Sequence, residues 1–139
     1  MKSLILFIAF ATISFITRAQ ENDGVTITVT VQNVTSNDRG VLFALYTEDI
    51  FMKGQPVQSA KGEITDGKTT ITFPNVSQGV YGITCVHDAN DNGKMDFEPN
   101  GMPKENYGVS NNNMSFGPPS WTDAKFSVEN ENLELEIRL

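Results

Sequence analysis

Period-two alternation, repeated in short runs and cut by turn residues, constrains this chain more than any other feature. Val25-Thr26-Ile27-Thr28-Val29-Thr30-Val31 puts an apolar residue at every odd position and a hydroxyl at every even one. Successive side chains of a strand point to opposite faces, so this run has one buried and one wet face. Residues 133–139 alternate in the same way. Val41-Leu42-Phe43-Ala44-Leu45-Tyr46 is apolar on both sides, as a central strand requires. Further strands are predicted at 61–64, 69–73, 80–86 and 124–128. Seven strands without a sustained helical period predict an all-β fold, an antiparallel β-sandwich.

The connections follow from turn chemistry. Residues 33–40 hold Asn, Ser, Asp and Gly, and are expected to form a hairpin between the first two strands. Asp66-Gly67 supplies the positive φ of a tight primed turn and predicts a second hairpin, joining 61–64 to 69–73. Between residues 47 and 60 the period is lost. One helical turn from Glu48 is expected there, stopped by Gly54 and Pro56, with Phe51 or Met52 tucked inward. Residues 97–121 carry Pro99, Pro103, Pro118 and Pro119 and predict a long irregular loop before the last two strands. A loop of that length is usually functional or tied down.

The first 19 residues read as an export signal. Lys2 is the positive end, residues 4–16 are mostly apolar but shorter than the ~20 residues of a spanning helix, and Thr17-Arg18-Ala19 ends on a small residue. The expected location is periplasmic or extracellular, with residues 20–139 forming one domain and no stable membrane insertion after cleavage. Net charge is −7 for the full chain. Without Lys2 and Arg18, 8 basic residues face 17 acidic ones, a net charge of −9. Such a surface disfavours nucleic acid, which needs clustered Lys and Arg, and suits cations. The single cysteine, Cys85, excludes an internal disulfide and shares a strand face with Tyr81 and Ile83, as a small buried hydrophobe would.

The most distinctive local pattern is His87-Asp88-Ala89-Asn90-Asp91-Asn92-Gly93-Lys94-Met95-Asp96. Oxygen donors at the first, third and fifth positions from Asp88, glycine at the sixth and Asp96 at the ninth repeat the spacing of an EF-hand calcium loop. Position twelve is Pro99, where that loop needs a bidentate Glu, and Glu98 falls one residue early. The candidate calcium ligands are the side chains of Asp88, Asn90, Asn92 and Asp96 and the backbone carbonyl of Lys94, at ~2.4 Å, with Glu98 and His87 as further candidates. Two charged ligands imply a dissociation constant of ~10⁻⁴ to 10⁻³ M. The competing reading is a self-capped Asx turn.

His87 is read as a brace for the loop. The alternative is a hydrolase pairing His87 with Asp88 or Asp96, although no Gly-x-Ser-x-Gly, His-Glu-x-x-His or phosphate-cradling motif is present. Tyr107, Phe116 and Trp121 are expected to cover the open end of the sandwich, the alternative being an exposed aromatic platform. Asn111, Asn112 and Asn113 could add carbonyl ligands or simply make turns.

Three segments together resemble the domain of unknown function 2141, small exported bacterial proteins, from about Val25 onward. They are Phe73-Pro74-Asn75-Val76-Ser77-Gln78-Gly79-Val80-Tyr81, the His87-Asp88 loop ending Asn92-Gly93-Lys94-Met95-Asp96, and the tail from Gly101-Met102-Pro103 through Tyr107-Gly108-Val109-Ser110 to Phe116-Gly117-Pro118-Pro119. The resemblance implies a secreted sandwich of transthyretin-like or immunoglobulin-like kind and gives no mechanism. The expectation is therefore a non-catalytic exported module presenting its end loops to a protein or glycan. A purely structural or assembly subunit is the remaining reading.

Overall fold

The computed structural model describes residues 24–113, 115 and 117–139. The expected signal, 1–19, and the expected role of Phe116 lie outside the described residues. Strands β1 (Val25–Val31), β2 (Gly40–Tyr46), β3 (Gln58–Glu63), β4 (Thr69–Val76), β5 (Gly79–His87), β6 (Tyr107–Val109), β7 (Phe126–Val128) and β8 (Leu133–Ile137) form two sheets. One has the order β4-β1-β8 and the other β3-β2-β5-β6, with β7 paired to the start of β5. Among the described residues no helix is long and apolar enough to cross a membrane.

The alternation of β1 becomes burial directly. Ile27, Val29 and Val31 are fully buried, while the threonines between them are half-buried on the other face. They join Phe73 and Ile137 from their own sheet and pack against Val41, Phe43, Leu45, Ile83 and Cys85 of the other. Phe43 and Phe73 are each 1% exposed, and truncating either to Ala leaves a cavity that costs about 3–5 kcal/mol.

The sandwich is as expected, but its wiring differs in four places. Residues 33–40 do not make a hairpin: β1 pairs with β4 and β8, β2 pairs with β3 and β5, and the segment crosses between sheets. Each strand is central, and their apolar faces gain more by facing each other than by lying side by side. The Asp66-Gly67 turn does form, with φ of 52° and 71°, and Thr65 and Lys68 exchange backbone hydrogen bonds of 2.9 and 3.1 Å. Yet β3 and β4 then diverge into different sheets. Gly62 makes this corner passable, since a Cβ there would collide with the Thr69 side chain and lie 3.0 Å from Ile71 Cγ2.

An eighth strand, β6, lies inside the segment expected to be irregular and pairs with residues 84–86 of β5. The β1–β8 pair is parallel, because β8 is reached by a crossing from β7 in the other sheet rather than through a hairpin. A single helical turn, α1 (Trp121–Ala124), capped by Ser120, leads directly into β7.

β5 is buried on both faces from Gly82 to its end. The second cover is a small cluster of Phe51, Val109 and Ala124 with Tyr46, Met52 and Trp121 around it. Phe51 follows a 3₁₀ turn at Glu48–Ile50 and is 6% exposed, so the expected inward tuck is present. Phe51 meets Tyr46 and Trp121 edge to face, both at 5.6 Å. Gly82 permits this, since a Cβ there would sit 3.1 Å from the Trp121 ring and 3.2 Å from that of Phe51. Trp121 thus covers the outer face of a sheet, not the open end of the sandwich.

Candidate functional site

β5 delivers the chain to the Asx-rich loop in a fixed direction. Asp88, at 0% exposure, donates its N–H to Gly40 O at 3.0 Å, continuing the β2–β5 ladder by one rung. Its carboxylate then organises the turn. Oδ1 accepts the Asn92 N–H at 3.2 Å, Oδ2 accepts the Gly93 N–H at 2.9 Å, and the Asp88 carbonyl accepts the Asp91 N–H at 3.1 Å. Asp91 and Gly93 take the positive φ this turn needs, 55° and 75°.

Of the other predicted ligands, Asn90, Asn92 and Asp96 converge on one another. Asn90 Oδ1 accepts the Asn92 N–H at 3.3 Å, and Asn92 Oδ1 accepts the Lys94 N–H at 3.1 Å. The side-chain amides of Asn90 and Asn92 both donate to Asp96 Oδ2, at 2.7 and 2.6 Å. The Asn90 bond, then that of Asn92, and the nearby Lys94 and Lys104 hold the Asp96 carboxyl below its usual range. Asp91, which the spacing did not single out, bridges outward to Lys61 at 3.0 Å and Arg39 at 3.2 Å. Lys61 first, then Arg39, holds its carboxyl low as well.

The loop is sewn to the segment after it. Lys104 donates its N–H to Asp96 O at 2.9 Å, Asn106 O accepts the His87 N–H at 2.9 Å, and Glu105 Oε2 accepts the Ala89 N–H at 2.6 Å. Glu98 turns back on itself, its N–H on Met102 O and its carbonyl accepting the Gly101 N–H, with its side chain exposed. The second carboxylate oxygen of Glu105, Oε1, is buried without a hydrogen-bond partner. Sequence reasoning missed Glu105 because its contact is with Ala89, 16 residues earlier. Among the described residues no cluster of three or more His, Cys, Asp or Glu is placed to hold a metal. The side chains that converge in the loop are one aspartate, Asp96, and two asparagines, Asn90 and Asn92, in a turn shaped by Asp88.

His87 is 7% exposed and its Nε2 lies 2.9 Å from the Asp38 carbonyl oxygen. A carbonyl only accepts, so Nε2 carries the proton and ties the strand end to the β1–β2 crossing. The ring also borders an open cavity of about 630 Å³ with Ser36, Arg39 and Ala89. Cys85 is fully buried, donates to Gly108 O at 3.7 Å, and burial pushes its thiol up to about 12.

The asparagine run works elsewhere. Asn111 and Asn112 adopt φ of 70° and 56°. The Asn111 amide donates to the carbonyls of Asp123 and Lys125. Asn112 bonds Glu136 O and the Arg138 N–H, both at 2.8 Å, occupying the free edge of β8 as a neighbouring strand would. These bonds place the run at β8 and α1, away from the 88–96 turn.

Fold and site together define a two-sheet, mostly antiparallel β-sandwich that carries a preformed Asx-rich loop sewn to its neighbour. The chain belongs to the family described as an uncharacterized protein conserved in bacteria (DUF2141), whose model matches residues 29–136. A search of curated proteins finds no match.

Proposed function

We propose that this protein is an exported, non-catalytic β-sandwich module whose 88–96 loop takes a calcium ion weakly. In this reading the loop and the segment sewn to it present a surface to a protein or glycan partner. The observation that carries the cation is the convergence of Asn90, Asn92 and Asp96 in a turn already shaped by Asp88. Each of the two amides bears an oxygen on the carbon that bears its NH₂, so a cation can exchange amide–carboxylate bonds for oxygen–cation bonds within the same turn. An oxygen-only set suits calcium, which accepts loose geometry, and Glu105 adds a partnerless carboxylate oxygen close to Ala89. The leader-like residues 1–19 support export.

The test is thermal unfolding in 10 mM calcium and in chelator. With a dissociation constant near 1 mM, calcium stabilises by about 1.4 kcal/mol. Identical midpoints remove the cation from the account.

A further inference from the structure

The outer face of the five-stranded sheet is only half covered. The Phe51–Trp121 cluster sits over one end of β5, and beside it an open groove of about 850 Å³ runs across β2, β3 and β5. That volume is in the range of small-molecule sites. Leu42 and Ala44 of β2 and Val86 of β5 form an apolar floor, and Thr84 of β5 beside them is only 3% exposed. Met52 from the turn after the 3₁₀ segment and Met95 and Phe97 from the end of the Asx-rich loop also line the groove. Phe97 is 44% exposed, an apolar ring held partly toward water. Methionines are adaptable walls for flexible apolar ligands.

The charge around this groove opposes that of the protein. Among residues 24–139 there are 8 Lys and Arg and 15 Asp and Glu. Three lysines, Lys53, Lys61 and Lys94, line the groove, and among the described residues no acidic one does. Lys61 is paired with Asp91, whereas Lys53 and Lys94 make no ion pair among the described residues. An occupant complementary to these walls is largely apolar, needs few hydrogen bonds, and carries a negative charge.

We propose that this groove binds a long-chain carboxylate, with the alkyl chain on Leu42, Ala44 and Val86 between the methionine walls and the head group paired with a lysine of the wall. A sugar would leave its hydroxyls unpaired on this floor, and an extended peptide would leave its backbone amides so. The proposal holds whether or not the neighbouring loop takes a cation.

Calorimetric titration of the protein with sodium dodecanoate, below its micellar range and in chelator, tests it. The expected result is saturable one-to-one binding with a negative heat-capacity change, from apolar burial. Dodecyltrimethylammonium should bind more weakly. The double variant Lys53→Glu, Lys94→Glu changes only exposed side chains or wall positions, and should weaken dodecanoate by about tenfold while the circular dichroism spectrum is unchanged. Ala44→Trp, which fills the floor, should remove binding. No saturable binding by the unaltered protein overturns the proposal, and so does equal affinity for the cationic amphiphile. Unchanged dodecanoate affinity in the double lysine variant overturns it too, and that variant decides the matter if Ala44→Trp does not fold.

Discussion

Asp88 and Asp96 occupy the two ends of the same loop, yet the structure gives them different work, and replacing each by alanine should separate that work. Asp88 is fully buried and its carboxylate accepts two backbone N–H groups, from Asn92 and Gly93. Hydrogen bonds to a charged group contribute about 1.5–3 kcal/mol each, and part of that is offset because alanine no longer has a charge to desolvate. The net loss for Asp88→Ala is about 3 kcal/mol. A domain of this size unfolds with an entropy of about 0.25 kcal/mol/K, so the melting midpoint should fall by about 12 °C, in chelator as in calcium. Asp96 is half-buried, and its partners are the exposed side-chain amides of Asn90 and Asn92, which water can satisfy. Asp96→Ala should therefore move the chelator midpoint by no more than about 2 °C, in line with substitutions outside the core whose partners stay solvated. It should nevertheless abolish the calcium-induced rise, which for the unaltered protein is about 6 °C at 10 mM calcium. The assay is differential scanning calorimetry of three proteins in two buffers. An Asp88→Ala midpoint equal to that of the unaltered protein refutes the argument from the buried carboxylate. A calcium rise that survives Asp96→Ala refutes the ligand assignment.

Three further outcomes are expected. Asn112→Ala removes two hydrogen bonds to β8 and reopens its edge, so stability should drop by about 1–2 kcal/mol and light scattering on heating should begin earlier; a neutral effect would mean that the edge is guarded by something else. Cys85, its thiol raised to about 12 by burial, should resist alkylation at pH 8 in the native state and react only in denaturant. Asp91 and Asp96 have folded pKa values below the ordinary 3.8, so whatever stability they contribute is present above that value and is lost as pH falls through their lower folded values. Carboxyl-carbon NMR titration should show both midpoints below 3.8, and Lys61→Met should raise that of Asp91 because Lys61 is its main partner; an unmoved midpoint would break the attribution.

Local chemistry was written plainly in the chain. The Val25–Val31 alternation became a strand with one buried face, Asp66-Gly67 became a positive-φ turn, and Cys85 and Phe51 went inside. The Asx spacing of residues 88–96 brought Asp88, Asn90, Asn92 and Asp96 into one turn. These are near-neighbour effects, settled by side-chain period, φ preference and hydrogen bonds spanning a few residues. What only the tertiary structure decided depends on residues far apart in sequence. The 33–40 and 64–68 connections cross between sheets because pairing partners are chosen by the match of whole apolar faces, which no turn encodes. Glu105 meets Ala89, Lys61 and Arg39 meet Asp91, and Asn112 closes β8 only after the sandwich has assembled. The lysine-rimmed groove likewise exists only once β2, β3 and β5 lie side by side and the end of the Asx-rich loop folds over them. A surface shared by three strands and two loops has no signature in any one of them.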